Sequence, residues 1–196
     1  MPGSGHFEAI ETTSHGADPA VLAEAAERAA IALVRGSRDQ ADADLVHRVV
    51  HLADTEGLET LAELWANAAP DSLAGVLWRL YLLRTWVHAD PETAAREFDL
   101  GRTLAPVAEA ISGVEEPPGP DEVRELVDAV LRGVVVGDFA DTLFRAAAFA
   151  RVAAAGRSRA ESTVSSYSSD LSAARLLTLG EQLERAARLE LDGTLT

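Results

Sequence analysis

Thirteen residues constrain this chain more than any others: "VLWRLYLLRTWVH", Val76 to His88. The stretch is almost continuously apolar, yet Arg79 and Arg84 lie inside it and His88 closes it. On a wheel of 100° per residue, Leu73, Leu77 and Leu80 cluster on one side, and Val76, Leu83 and Val87 extend it. Trp78, Leu82 and Trp86 cover the opposite side, and Tyr81 bridges the two. A helix that is apolar all round is contacted on several faces, so this segment is expected at the centre of a multi-helix core. It is too short to span a bilayer, which takes about 18 apolar residues or more. Its arginines would each be costly at membrane depth. A membrane location is therefore not expected.

The two arginines point in directions more than a third of a turn apart. A buried guanidinium needs a partner or a path to water. The ordinary reading pairs each with Asp or Glu from a neighbouring helix. The functional reading is a pocket for a small anionic ligand made by Arg79 or Arg84 with Trp86 and His88. Planar guanidinium donors suit carboxylate or phosphate.

The rest of the chain supports an all-helical core. Hydrophobic residues make up 47% of its 196 residues, while aromatics are only 5%, so alanine, the best helix former, dominates the apolar set. Helix signals recur. Asp18 and Pro19 begin a first helix that Gly36 stops. A second is expected from Asp39 to Ala53 and a third from Gly57 to Asn67. Asp71 or Ser72 caps the central helix, and Asp90 with Pro91 restarts the chain in a fifth, which is expected to break near Gly101 or before Pro106. The segment "DEVRELVDAVLRGV" carries Val123, Leu126, Val127, Val130 and Leu131 on one stripe. Asp138 caps a seventh helix reaching Ala155, rich in small residues that let helices approach closely. "GRSRAESTVSSYSSD" reads as a polar linker. In the last helix, Leu176, Leu179, Leu183 and Ala186 stand at near-heptad spacing.

The expected fold is all-α, a single compact bundle of seven or eight helices with a C-terminal amphipathic helix. Its parts are a flexible segment over 1–17, a helical core over 18–156, a Ser-rich linker over 157–170 and the last helix over 171–196. The stripe of Leu176, Leu179 and Leu183 is narrow, more like a seam than a core face. Docking on a second copy, giving a homodimer, is therefore slightly favoured over docking on its own domain.

Charge and composition limit the functions. Acids outnumber bases by 32 to 17, giving a formal net charge of −15, so nucleic acid is not an expected partner. With no cysteine, the chain has no disulfides, thiolate metal sites or cysteine nucleophile. The first residues lack a basic start and an apolar core, so a cytoplasmic location is expected. "HRVVH" places His47 and His51 at i, i+4 on one helix face, with Asp44 one turn before and Asp54 just after. That pair can hold a metal, but a third ligand is not identifiable. The carboxylate and histidine patterns of all-helical phosphohydrolases are incomplete, and no phosphate-binding loop or nucleophile elbow occurs. No cofactor is expected.

"LWRLYLLRTWVHADPE" and "GVEEPPGPDEVRELVDAVLRGVVVGDFADTLFRAAAFARVAAAG" resemble segments of an uncharacterised all-helical protein family of high-GC Gram-positive bacteria. The resemblance covers about the middle two-thirds of the chain. It implies a helical fold and carries no catalytic residue. The expectation is a non-enzymatic interaction or regulatory protein working through protein–protein contacts. The alternative is a small anionic-ligand binder, or a metal-dependent phosphohydrolase-like enzyme, using Arg79, Arg84 and His88 or His47 and His51.

Overall fold

Gly36 adopts φ +76, a left-handed conformation that glycine takes without a Cβ penalty, and it ends the first helix where the sequence predicts. The computed structural model describes residues 19–36, 44, 47, 51, 58–104, 118–131, 138–161 and 172–196. In chain order the helices are α1 (Pro19–Arg35), α2 (Leu58–Glu63), α3 (Leu73–Ala89), α4 (Pro91–Leu104), α5 (Pro120–Leu131), α6 (Phe139–Glu161) and α7 (Ala173–Leu191). The architecture is all-helical, and no strand occurs among the described residues. Counted as long helices among the described residues, the expected seven or eight are not matched. The described residues form six helices of 12 residues or longer, and α2 is a single short piece of 6. The helix expected over 39–53 and the N-terminal segment 1–17 lie outside the described residues, save that Asp44, His47 and His51 are helical.

Side-chain caps start the helices as their sequence signals require. The Ser72 hydroxyl accepts from the Gly75 amide at 3.2 Å. Asp90 accepts from the Thr93 amide at 3.0 Å, and Asp138 from the Ala140 amide at 2.8 Å. Each satisfies an N–H that has no partner inside its helix. At the head of α3, the Leu73 amide donates to the Thr196 backbone oxygen at 2.8 Å, so the C-terminal residues close that helix end.

The central helix α3 packs against α1, α2, α4, α5 and α7, as its apolar circumference predicts. Leu77, Leu80, Leu83 and Val87 have no exposed surface. The largest helix pairings, however, are α6 with α7 and α6 with α4. Their cause is steric. Gly101 of α4 and Gly156 of α6 stand where the two helices cross. A Cβ on Gly101 would lie 1.9 Å from the Val152 carbonyl oxygen, and one on Gly156 would lie 1.8 Å from that of Glu97. The crossing is backbone against backbone, and only glycine permits it. Of the two places where this helix was expected to break, near Gly101 or before Pro106, the first is passed: α4 runs through Gly101 to Leu104. Alanines complete the packing, with Ala146, Ala147, Ala150 and Ala153 of α6 fully enclosed.

Two expectations about the C-terminal third are corrected. α6 does not stop at Ala155 but continues through Glu161, so the first residues assigned to a linker over 157–170 are helical and Arg157 is buried. The remainder of that segment lies outside the described residues. The last helix docks on its own chain. Leu176, Leu179 and Leu183, expected to form a seam to a second copy, are buried against α6 and the rest of the core. The narrow stripe suffices because its partner face is alanine and Gly180 lets the two backbones close in, with the Ala147 carbonyl oxygen 3.2 Å from an added Cβ.

Candidate functional site

The four residues expected to line an anion pocket are engaged by three different parts of the bundle. Arg84 pairs with Asp128 of α5. His88, one turn later on the same face, has Nε2 4.0 Å from the same carboxylate. Burial holds the His88 ring below its ordinary value, and the Arg84 and Arg124 charges add to this while Asp128 opposes it. Arg79 faces another way, towards α7. Its Nε donates to Gln182 Oε1 at 2.5 Å and its Nη1 to the Gly75 carbonyl at 2.6 Å. Trp86 is buried beside Phe149 and lies beneath the Arg157 guanidinium, whose carbon is 4.9 Å from the indole centroid. The ordinary reading of paired arginines therefore holds for Arg84. Arg79 takes an amide and a carbonyl as its hydrogen-bond partners.

The most deeply buried charge among the described residues is one the sequence does not advertise. Arg157 Nε sits 3.0 and 2.9 Å from the two carboxylate oxygens of Glu97, with side-chain exposures of 2% and 3%. Gly156 brings α6 onto α4 at that level, which is why two long side chains meet in the interior. Carboxylate and indole together surround the guanidinium, and this is how a buried cation is normally tolerated. A second buried carboxylate, Glu184 of α7, accepts from Arg151 of α6 and from Arg188 one turn along its own helix. The pairs of Arg157 with Glu97 and of Arg151 with Glu184 each tie one helix to another.

His47 and His51 lie on one helix face, with ring centroids 6.4 Å apart and both residues exposed. Among the described residues, no cluster of three or more His, Asp or Glu side chains forms a metal site. Nor is any helix among them long and apolar enough to cross a membrane.

The concave surface of interest lies between α3 and α7. It has a volume of about 460 Å³, and Trp78 and Leu82 of α3 and Leu179 of α7 line it. Arg79 and Gln182, hydrogen-bonded to each other, also line it, with Ala174, Arg175 and Thr178. The charged side chains of this lining are two arginines, and it contains no carboxylate. Burial pushes the Arg79 guanidinium below its ordinary value, and the Asp71 charge offsets part of that. Trp78 stacks on Tyr81 with ring centroids 5.6 Å apart, which fixes the indole in the wall.

From the sequence, Arg79 was the legible member of this groove. Trp78 and Leu82 were placed on the far side of the central helix without a neighbour to define a cleft. Thr178 and Gln182 carried no signal of their own. Arg157 was read as part of a linker, and the small-residue pair Gly156 with Gly101 was the clue that it would be drawn inside.

No family model matches the chain, and no curated protein or solved structure is significantly similar to it.

Proposed function

We propose that this chain is a non-enzymatic interaction protein that binds a partner protein in the groove between α3 and α7. The observation that carries this reading is the groove itself. Trp78 and Leu82, both partly exposed, present apolar surface in a concave site, and tryptophan is a typical anchor of protein contacts. The groove reaches from Ala174 to Gln182 along α7, about 12 Å of helix. That length matches the two turns over which a docked segment places its anchors. The ionic groups elsewhere in the bundle tie helix to helix, which suits a rigid scaffold. A cytoplasmic partner is part of the proposal. Self-association, if it occurs, would use this groove, since the Leu176, Leu179 and Leu183 stripe is occupied within the chain.

The test is paired affinity capture with the full chain and a Thr178→Trp variant. Thr178 is exposed and lines the groove, so the larger side chain fills it without entering the core. A partner held by the parent chain and lost from a variant with an unchanged helical circular-dichroism spectrum supports the reading. Partners held equally by both would overturn it.

A further inference from the structure

We infer that the tail Thr194–Thr196 is a latch that holds α1 on the bundle, so that withdrawing Leu195 frees α1 as a unit while α4 and α6 stay folded. The inference stands apart from the groove and concerns how the fold opens. Its basis is the set of anchors that the tail makes. Gly193, at φ +66, turns the chain back at the end of α7. The amides of Thr194 and Leu195 then both donate to the Leu189 carbonyl, at 2.8 and 3.2 Å. The turn carries the Leu195 side chain inward. It is 5% exposed and belongs to the same buried cluster as Leu33 and Val34 of α1, whereas Leu191, the last residue of α7, is 62% exposed. The backbone of the tail reaches two further helices. Arg35, at the end of α1, donates from Nη2 to the Leu195 carbonyl at 3.3 Å, and the same guanidinium pairs with Glu190 of α7. The Leu73 amide, at the head of α3, donates to the Thr196 oxygen at 2.8 Å. Thus α1, α3 and α7 are joined through three residues that lie outside every helix.

The packing of the bundle makes α1 the element that this latch controls. The two largest helix pairings, α6 with α7 and α6 with α4, do not involve α1, which packs on α3 and less extensively on α5. Among its described residues, the buried side chains of α1 are alanines except for Leu33 and Val34. Alanine buries little apolar area, so the larger part of the burial in α1 stands at its last turn, the end that Arg35 ties to the tail. An element held by few apolar contacts opens on its own, below the free energy of global unfolding. Opening would also uncover Trp65, which has no exposed surface and donates from Nε1 to the Ala26 carbonyl of α1 at 3.1 Å. The closed tail therefore hides an indole that the open form presents.

The test is amide hydrogen exchange of the full chain, read helix by helix by mass spectrometry, for the parent, Leu195→Ala, the milder Leu195→Val, and Leu191→Ala as the control on exposed surface. Leu195→Ala should speed exchange over 19–35 by at least about tenfold while α4 and α6 keep the rates of the parent. Leu195→Val should give a smaller rise in the same helix, and Leu191→Ala none. A change in α1 made from a position 160 residues away along the chain is what a latch produces. Acceleration of all helices by a common factor would overturn the inference, because Leu195 would then be an ordinary core residue. Complete loss of protection in Leu195→Ala would overturn it likewise, since the tail would hold the whole bundle. So would an α1 that the tail variants leave unchanged, or one already unprotected in the parent chain.

Discussion

Arg157 of α6 and Glu97 of α4 form an ion pair in the protein interior, Nε to both carboxylate oxygens at 3.0 and 2.9 Å, with the Trp86 ring packed on the guanidinium. The pair sits beside the Gly156 crossing, so the steric fit of two helices and the neutralisation of two charges occur at one level of the bundle. Removing one partner leaves the other buried without its nearest opposite charge. Glu97→Gln and Arg157→Met should each destabilise the fold by about 3–5 kcal/mol. The double variant Glu97→Leu with Arg157→Met should lose much less, because apolar residues of similar size replace the whole pair. Urea unfolding of the three proteins measures this directly, and additive losses in the double variant would contradict it.

The glycine crossing makes a separate prediction. Gly101→Ala and Gly156→Ala each place a methyl against a carbonyl oxygen of the facing helix, which cannot move as a flexible side chain would. Overpacking of this kind costs about 1–3 kcal/mol, and these sites should lie at the upper end because the obstacle is backbone. Gly119→Ala is the control, since nothing stands within 4 Å of its added Cβ. Thermal melts should show two lowered transitions and one unchanged.

His88 gives a pH dependence of known sign. Its folded ring holds a proton less tightly than the ordinary histidine value of 6.5, owing to burial and then to Arg84, with Arg124 adding to it and Asp128 opposing. The unfolded chain therefore takes up the proton first as pH falls. His88 favours unfolding as the pH drops through 6.5, and the loss levels off below its folded value. The ring is 38% exposed, so the effect on stability is small. A proton NMR titration should place its midpoint below 6.5. Arg84→Gln should raise that midpoint, because it removes a positive charge and releases Asp128 to face the imidazole. A lower midpoint in the variant would contradict this assignment.

Because α7 docks in its own chain, its removal should be damaging. Deleting Ala173–Thr196 uncovers the alanine face of α6 and takes away the backbone partner of the Leu73 amide. The remnant should lose its cooperative melt and aggregate in light scattering. A folded monomer after deletion would show that the helix is an appendage after all.

The sequence made some of this legible and hid the rest for physical reasons. Caps and helix-length apolar patterns are local, so Ser72, Asp90, Asp138 and Gly36 marked helix ends correctly. The all-round apolar character of Val76 to Val87 placed α3 inside. Which residues meet across helices is not local. A glycine inside a helical pattern reads as a break, and Gly101 was one of the two places where a break was expected, yet its role is set by Val152 some fifty positions further on. Arg157 looked like linker because charged and serine-rich sequence surrounds it, and only the approach at Gly156 draws it inward. The seam-like stripe of Leu176, Leu179 and Leu183 was misjudged because a narrow stripe is enough when the facing helix is alanine. The groove, likewise, is lined by residues of both α3 and α7, a property of neither helix alone.

The most direct test of the binding groove is site-specific photocrosslinking in cells that produce the chain. A benzophenone amino acid is placed at Ala174, on the groove wall, and separately at Glu92, exposed on α4 and outside the groove. A discrete protein adduct from position 174, absent from position 92 and suppressed by Thr178→Trp, is the predicted result. Adducts of equal yield from both positions, or none from position 174, would contradict the account.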